Sequence, residues 1–123
     1  MILFMKKLLF RGVATALATP FTKNGVNYNE FEKFINMQID SGINALVVCG
    51  TTGEASTMTN EEKSELIKCA VSACNKRIPV IVGTGSNNTN QAIQNSLIAE
   101  ELGADGLLIV TPYYNKTTQK RIN

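Results

Sequence analysis

Four short apolar runs, separated by three longer segments with helical periodicity, constrain the fold of this chain more than any other feature. The runs cover residues 12–18, 44–49, 79–83 and 105–111, and they are apolar almost continuously instead of alternating with polar residues. Strands that are buried on both faces have this pattern. Because such strands alternate with helices, we predict an α/β fold with parallel strands and right-handed crossovers.

The segments between the runs are predicted to be helices because apolar residues recur on one face of each. The predicted helices cover residues 28–41, 60–76 and 88–102. Thr59 and Glu62 have the spacing of a capping box at the start of the second, and Gly42 and Gly103 follow the first and third as C-terminal caps. The residues predicted to face the sheet are Phe31, Phe34, Ile35 and Ile39, then Leu66, Ile67, Ala70, Val71 and Cys74, then Ala92, Ile93, Leu97 and Ala99.

Composition excludes several classes of protein. A net charge of +2 without a long basic run argues against a nucleic-acid partner, and the chain has no run of about 18 apolar residues that could span a membrane. Three cysteines without metal-ligand spacing favour a reduced, cytoplasmic setting with no metal and no cofactor. Because the chain has no histidine, acid–base chemistry must fall to Tyr, Lys, Asp, Glu or Cys.

The carboxyl ends of the four predicted strands share small and hydroxyl-bearing residues. The segments at these four ends begin at Thr19, Gly50, Gly83 and Thr111. In an open parallel sheet and in a barrel alike, chemistry is placed at this end of the strands, so the pattern leaves both architectures open. No glycine-rich nucleotide turn follows the first strand, and a phosphate-binding P-loop is excluded because Gly-Lys-Ser/Thr is absent.

The sequence Gly-Thr-Thr-Gly at residues 50–53 is the strongest candidate for a binding site. Two glycines around a threonine pair let the chain turn tightly, and successive backbone amides in such a turn form a concavity that binds anions. No basic residue lies inside the turn, so a small carboxylate fits better than a polyphosphate. The alternative is that the motif is a simple strand-to-helix connector.

Three segments together resemble dihydrodipicolinate synthase. They are Gly-Thr-Thr-Gly-Glu at 50–54, Gly-Thr-Gly-Ser-Asn at 83–87 and Val-Thr-Pro-Tyr-Tyr-Asn-Lys at 110–116. The resemblance covers residues 12–120 and implies the first four βα units of a (β/α)8 TIM barrel, an incomplete barrel. It also implies a class I aldolase reaction in lysine biosynthesis, in which pyruvate forms a Schiff base with a lysine and condenses with aspartate semialdehyde.

The resemblance assigns roles to individual residues. Thr52, with Gly50 and Gly53, matches the pyruvate-carboxylate site, Thr51 matches a proton relay, and Tyr114 matches a tyrosine that reaches the neighbouring subunit's site. The family forms homo-oligomers, tetramers built of tight dimers. In members inhibited by lysine, the regulatory site matches Ala55, Ser56, Asn60, Lys63, Asn87, Gln91 and Tyr113. Gln91 replaces an acidic residue and Lys63 replaces a histidine, so we expect a weak response to lysine.

The chain is interpreted as one partial domain, 1–123, with an N-terminal extension over 1–11 in which Met5 is an alternative start. A complete barrel needs about 250 residues, and the family's Schiff-base lysine lies on a later strand, so we expect the fragment to be inactive. The tail 121–123 departs from the family, and we hypothesise that one base inserted in a run of A shifted the frame. The alternatives are a self-associating half-barrel or carboxylate-binding module without catalysis and, within the superfamily, an N-acetylneuraminate lyase or sugar-acid aldolase.

Overall fold

The structure is a computed structural model that describes the backbone of residues 2–4 and all atoms of residues 8–50 and 58–109. Its strands are β1 (Ile2–Phe4), β2 (Ala14–Ala16), β3 (Phe21–Thr22), β4 (Gly25–Val26), β5 (Ala45–Val48), β6 (Val80–Gly83) and β7 (Gly106–Ile109). Its helices are α1 (Tyr28–Asp40), α2 (Asn60–Cys74) and α3 (Thr89–Glu101). Each predicted strand and helix is present, with ends that differ by a few residues at most within the described ranges.

The main sheet has the strand order β1-β7-β6-β5-β2. The four strands β2, β5, β6 and β7 are parallel, with Ala16 opposite Val47 and Val82 opposite Leu107. Chain neighbours are therefore sheet neighbours, joined by one helix each, which is the arrangement of successive units in a (β/α)8 barrel. The strand β1 is antiparallel to β7 and was not predicted.

The helices pack on one face of this sheet. Phe31 and Ile35 of α1 and Leu66 of α2 are fully buried against Leu46 and Val82 of the strands. Burial of each such side chain contributes roughly 1.5–3 kcal/mol, so this apolar layer fixes the position of the helices on the sheet. Of the predicted α1 face, Phe34 is the exception, because it is exposed.

Polar caps begin the three helices. Asn27 Oδ1 accepts a hydrogen bond from the Glu30 amide at 3.1 Å, and Asn88 Oδ1 accepts one from the Gln91 amide at 3.2 Å. The capping box predicted for α2 is confirmed by reciprocal bonds between Thr59 and Glu62. That helix ends two residues before the predicted limit because Asn75 adopts the left-handed conformation (φ 45°), which asparagine tolerates and which stops a helix.

The predicted inner face of α3 was partly wrong. Ile93 and Leu97 are 51% and 52% exposed, whereas Ala99 is fully buried. Instead, Asn95 and Ser96 form hydrogen bonds to Thr84 at the end of β6. The face of α3 that meets the sheet therefore carries these two polar residues together with Ala99.

A short hairpin, also not predicted, links β2 to α1. Its strands β3 and β4 are antiparallel, and Gly25, the first residue of β4, has φ +121°, which favours glycine. The Asn27 amide donates to the Pro20 carbonyl oxygen at 2.8 Å and closes the hairpin. Within residues 8–50 and 58–109 no helix is long and apolar enough to cross a membrane, no group of potential ligands could hold a metal ion, and the three cysteines are free thiols.

Candidate active site at the carboxyl ends of the parallel strands

The carboxyl ends of β2, β5 and β6 lie side by side. The Leu17 amide donates to the Val47 carbonyl oxygen at 2.9 Å, which continues the β2–β5 pairing past the end of β2. At the next junction, a Cβ atom added to Gly83 would lie 2.5 Å from the Cys49 carbonyl oxygen. Only glycine allows the ends of β5 and β6 to approach this closely.

The two faces of the sheet differ at this end. Thr15 donates to Gln38 of α1 at 3.1 Å, so Thr15 lies on the helix face, and Ala16 lies on the opposite, inner face. By the same alternation Val47 and Gly83 lie on the inner face, since Val48 and Val82 belong to the helix-facing core. The inner face near the carboxyl ends therefore carries small residues on β2 and β6, with Val47 between them and Leu108 beside Gly83 on β7.

The other end of the inner face is filled. A Cβ atom at Gly106 would lie 2.8 Å from Cδ2 of Leu9 and 3.5 Å from Cγ1 of Ile81. Leu9 and Ile81 thus cover the inner face at Gly106, whereas Ala16 at the carboxyl end of β2 is exposed. Barrels of this kind place their sites at the carboxyl ends.

The chain leaves β5 through an unusual backbone conformation at Cys49. Its φ of 58° lies in the left-handed region that residues other than glycine adopt rarely. Burial raises the pKa of the Cys49 thiol to about 11, while the charge of Lys63 acts to lower it. A buried neutral thiol is a poor nucleophile, so we assign no nucleophilic role to Cys49. Its left-handed backbone conformation leads the chain from β5 into Gly50.

Two buried threonines follow β2 and β6. The hydroxyls of Thr84 and Ser96 are hydrogen-bonded at 2.9 Å, and Asn95 Nδ2 donates to the Thr84 carbonyl oxygen at 3.4 Å. Thr84 therefore attaches α3 to the sheet. Thr19 is 7% exposed, and its hydroxyl has no hydrogen-bond partner among the described residues.

Only part of the predicted site lies within the described residues. Gly50 directly follows β5 and Cys49, where a Cβ atom would make only an ordinary 3.6 Å contact with Val47. The residues predicted for the pyruvate site and the regulatory site that follow β5 or β7 in the chain otherwise lie outside the described residues. They are Thr51, Thr52, Gly53, Ala55, Ser56, Tyr113 and Tyr114.

The remaining regulatory positions lie at the start of two helices. Asn60 and Lys63 are in the first turn of α2, while Asn87 precedes α3 and Gln91 is in its first turn. Both helices follow the carboxyl end of a strand, so the four residues lie at the same end of the strands as Gly50. Gln91 Nε2 donates to Asn95 Oδ1 at 2.9 Å, and Asn95 in turn contacts Thr84.

Sequence reasoning missed the polar contacts of Asn95 and Ser96. Both residues lie in the middle of α3, where polar residues are usually solvated, and Gln91 precedes Asn95 by one turn. The available signal was their position on the same helix face as Ala92 and Ala99, which a count of large apolar residues passes over.

Consecutive parallel βα units, whose chain neighbours are also sheet neighbours, define the class of (β/α)8-barrel proteins. The sequence matches the model of the dihydrodipicolinate synthetase family over residues 9–123. The chain belongs to this family, which confirms the resemblance found in its motifs.

Individual relatives agree with this assignment. The chain is 57% identical over 116 residues to a 4-hydroxy-tetrahydrodipicolinate synthase of Acetivibrio thermocellus, with 94% of this chain and 40% of the relative covered. It is 58% identical to the enzyme of Clostridium novyi, with 93% and 38% covered. The chain therefore spans about two fifths of the length of these relatives.

Solved structures confirm the fold. Dihydrodipicolinate synthase from Thermotoga maritima superposes with a TM-score of 0.88 at 43% identity, covering 92% of this chain and 38% of that one. A monomeric dihydrodipicolinate synthase variant superposes with a TM-score of 0.88 at 44% identity, covering 91% and 37%. The described units thus correspond to an incomplete TIM barrel, its N-terminal part.

Proposed function

We propose that this chain is the N-terminal part of a 4-hydroxy-tetrahydrodipicolinate synthase, an enzyme that condenses pyruvate with aspartate semialdehyde through a lysine Schiff base. The observation that supports the proposal most is 57–58% identity to relatives of that name over nearly the whole chain. The accessible carboxyl ends, with small inner residues at Ala16 and Gly83, suit a ligand as compact as pyruvate.

In this proposal the turn after β5 binds the carboxylate of pyruvate. Thr52 donates its hydroxyl, with support from the backbone at Gly50 and Gly53, and Thr51 passes a proton along a chain of hydroxyls to Tyr114. A phenol with an ordinary pKa near 10 relays protons when a hydrogen-bonded chain connects it to the reacting atoms. The Tyr114 hydroxyl would act in the neighbouring subunit, so this role requires a homo-oligomer.

The chain by itself is proposed to be inactive. Schiff-base chemistry needs a lysine whose pKa is lowered by apolar surroundings. The described strands contain no lysine, and Lys23, Lys33, Lys68 and Lys76 are exposed. The reactive lysine of the whole enzyme would come from the part of the relatives that this chain does not match.

A chimera tests the proposed function. Residues 1–120 of this chain are joined to the part of the Acetivibrio thermocellus enzyme that lies beyond its matched region. We expect the chimera to condense pyruvate with aspartate semialdehyde. Thr52→Val is expected to raise the KM for pyruvate at least tenfold, about 1.4 kcal/mol, because a donor to the carboxylate is lost. Thr89→Val, at the exposed start of α3, is the matched control.

Two outcomes of this experiment contradict the proposal. One is a folded chimera that acts on N-acetylneuraminate or a sugar acid but not on aspartate semialdehyde, which would favour a sister family. The other is a Thr52→Val variant whose KM for pyruvate equals that of the Thr89→Val control.

We also propose that the enzyme responds weakly to lysine. A cationic inhibitor at the regulatory positions loses a carboxylate partner at Gln91 and meets a like charge at Lys63. Gln91→Glu in the chimera is therefore expected to increase lysine inhibition. Sub-millimolar inhibition of the unmodified chimera would contradict this proposal.

A further inference from the structure

The outer edge of β7 is already paired in this chain. The strand β1 runs antiparallel to it, with Ile2 opposite Ile109, Leu3 opposite Leu108 and Phe4 opposite Leu107. A half-barrel of four parallel strands by itself leaves two unpaired edges, and here the β7 edge is covered. At the other end of the sheet, β2 has no second partner strand among the described residues.

The backbone direction of β7 shows which residues bind β1. The Thr84 amide donates to the Leu108 carbonyl oxygen at 3.1 Å, so the polar backbone groups of Leu108 face β6. Those of Leu107 and Ile109 face the opposite way, because backbone groups alternate along a strand. Phe4 and Ile2 are therefore the hydrogen-bonded partners in β1, whereas the amide of Leu3 faces away from β7.

This pairing and a continued barrel exclude each other. In a (β/α)8 barrel the edge that β1 occupies belongs to the next parallel strand. The described residues supply four parallel strands, half of the eight in a barrel. Two copies of this chain would close a barrel if β7 of each paired with β2 of the other. The symmetric arrangement would satisfy both edges of both copies.

The β2 side of such a junction is accessible. Val13, immediately before β2, is 62% exposed, and Ala16 at the end of β2 is exposed as well. Exposed apolar residues beside an unpaired strand edge favour association with another strand. A second copy supplies a matching parallel strand only if its own β1 has also left β7.

We propose that β1 is an edge-blocking strand that keeps the β7 edge from pairing with β2 of a second copy of this chain. Displacement of Ile2–Phe4 exposes the Leu107 and Ile109 backbone groups and permits a closed dimer of half-barrels. The inference rests on the fold and strand pairing of the 123-residue chain, and its test measures mass and exchange, not catalysis. In the chimera that tests the proposed function, the β7 edge would belong to the next parallel strand.

The test compares two proline substitutions in the whole chain. Phe4→Pro removes an amide that donates to β7, whereas the matched control Leu3→Pro alters an amide that faces away. A chain that begins at Met5, and so lacks β1, is the second variant. Light scattering after size exclusion measures molar mass over a tenfold concentration range, and hydrogen exchange reports on the amides of Leu107, Ile109 and Val82.

We expect the wild-type and Leu3→Pro chains to be monomers with protected amides at Leu107 and Ile109. Phe4→Pro and the shortened chain should have twice the monomer mass, and dilution should return both to monomers in which these two amides exchange faster while Val82 stays protected.

Four results would overturn the proposal: a dimeric wild-type chain, variants with unchanged mass and exchange, open-ended aggregates in place of dimers, or loss of protection at Val82. The last result would show that β1 is needed for folding and is not a displaceable strand.

Discussion

Among the described residues at the carboxyl ends of the strands, Gly83 leaves no room for a Cβ atom. An alanine Cβ would lie 2.5 Å from the Cys49 carbonyl oxygen and 3.0 Å from its carbonyl carbon. Both atoms are backbone, so neither can move as a side chain would. The close approach of β5 and β6 therefore depends on the absence of a side chain at this position.

We predict that Gly83→Ala destabilises the chain by about 1–3 kcal/mol, the range for a forced backbone shift in a packed site. Gly50→Ala is the matched control, because its Cβ would make only an ordinary 3.6 Å contact. Urea unfolding of the two variants provides the comparison. Equal stability of both variants would show that the β5–β6 junction adjusts without cost.

The raised pKa values of two buried thiols lead to a prediction of how stability changes at alkaline pH. Burial raises the pKa values of Cys49 and Cys74 from 9.0 to about 11. Between these values the thiols ionise in the unfolded chain but stay protonated in the folded one. The unfolded state then binds fewer protons, so stability is fully present below about pH 9 and falls as pH rises through about 11.

We expect the free energy of unfolding to fall by up to about 1.4 kcal/mol per pH unit for each of these thiols in that window. Urea midpoints at several pH values measure the slope, and Cys74→Ala should reduce it. The slope and not the absolute stability is compared, because the substitution also leaves a small cavity. An unchanged slope would mean that Cys74 ionises equally in both states.

At the scale of elements, the capping box of α2 is a feature that the sequence predicted and the structure contains. Thr59→Ala removes the acceptor of the Glu62 amide at 3.1 Å, which we expect to destabilise the chain by about 1 kcal/mol. Thr89→Ala is the control, since α3 is capped by Asn88. Thermal unfolding distinguishes the two variants, and a loss of equal size in both would exclude a capping effect.

The faces of the helices were predictable where large apolar residues decide the packing. Phe31 and Ile35 in α1 and Leu66 in α2 are buried as expected. In α3, the face that meets the sheet carries Ser96, bonded to Thr84, whereas Ile93 and Leu97 are exposed. Apolar periodicity carries no information on a hydrogen bond between a helix and the end of a strand, so this face could not be predicted.

At the scale of the whole molecule, the parallel order of β2, β5, β6 and β7 followed from four apolar runs joined by helices. The expectation of a site at Gly50 came from the same pattern, because parallel strands bring their carboxyl ends together. The pairing of β1 did not follow, since Ile2–Phe4 reads as an apolar extension whose partner lies more than 100 residues away. Non-local pairing of so short a strand leaves no local pattern in the sequence.

The positions of the lysines predict the result of an experiment in which borohydride traps a Schiff base formed with pyruvate. The described strands lack a lysine, and Lys33 and Lys68 are 74% and 56% exposed in ion pairs with Glu30 and Glu65. An exposed, charged amine is not the unprotonated nucleophile that a Schiff base requires. We therefore predict that the intact mass of the 123-residue chain stays unchanged after incubation with pyruvate and borohydride.

The chimera described above serves as the positive control for this trapping. It contains the strands that the relatives possess beyond the matched region, so it should gain one stable pyruvate-derived increment per chain. Peptide mapping locates the modified residue. An increment on any lysine of residues 1–120, in the chimera or in the chain alone, would contradict the argument, because reactivity would then arise without a lysine inside an apolar strand.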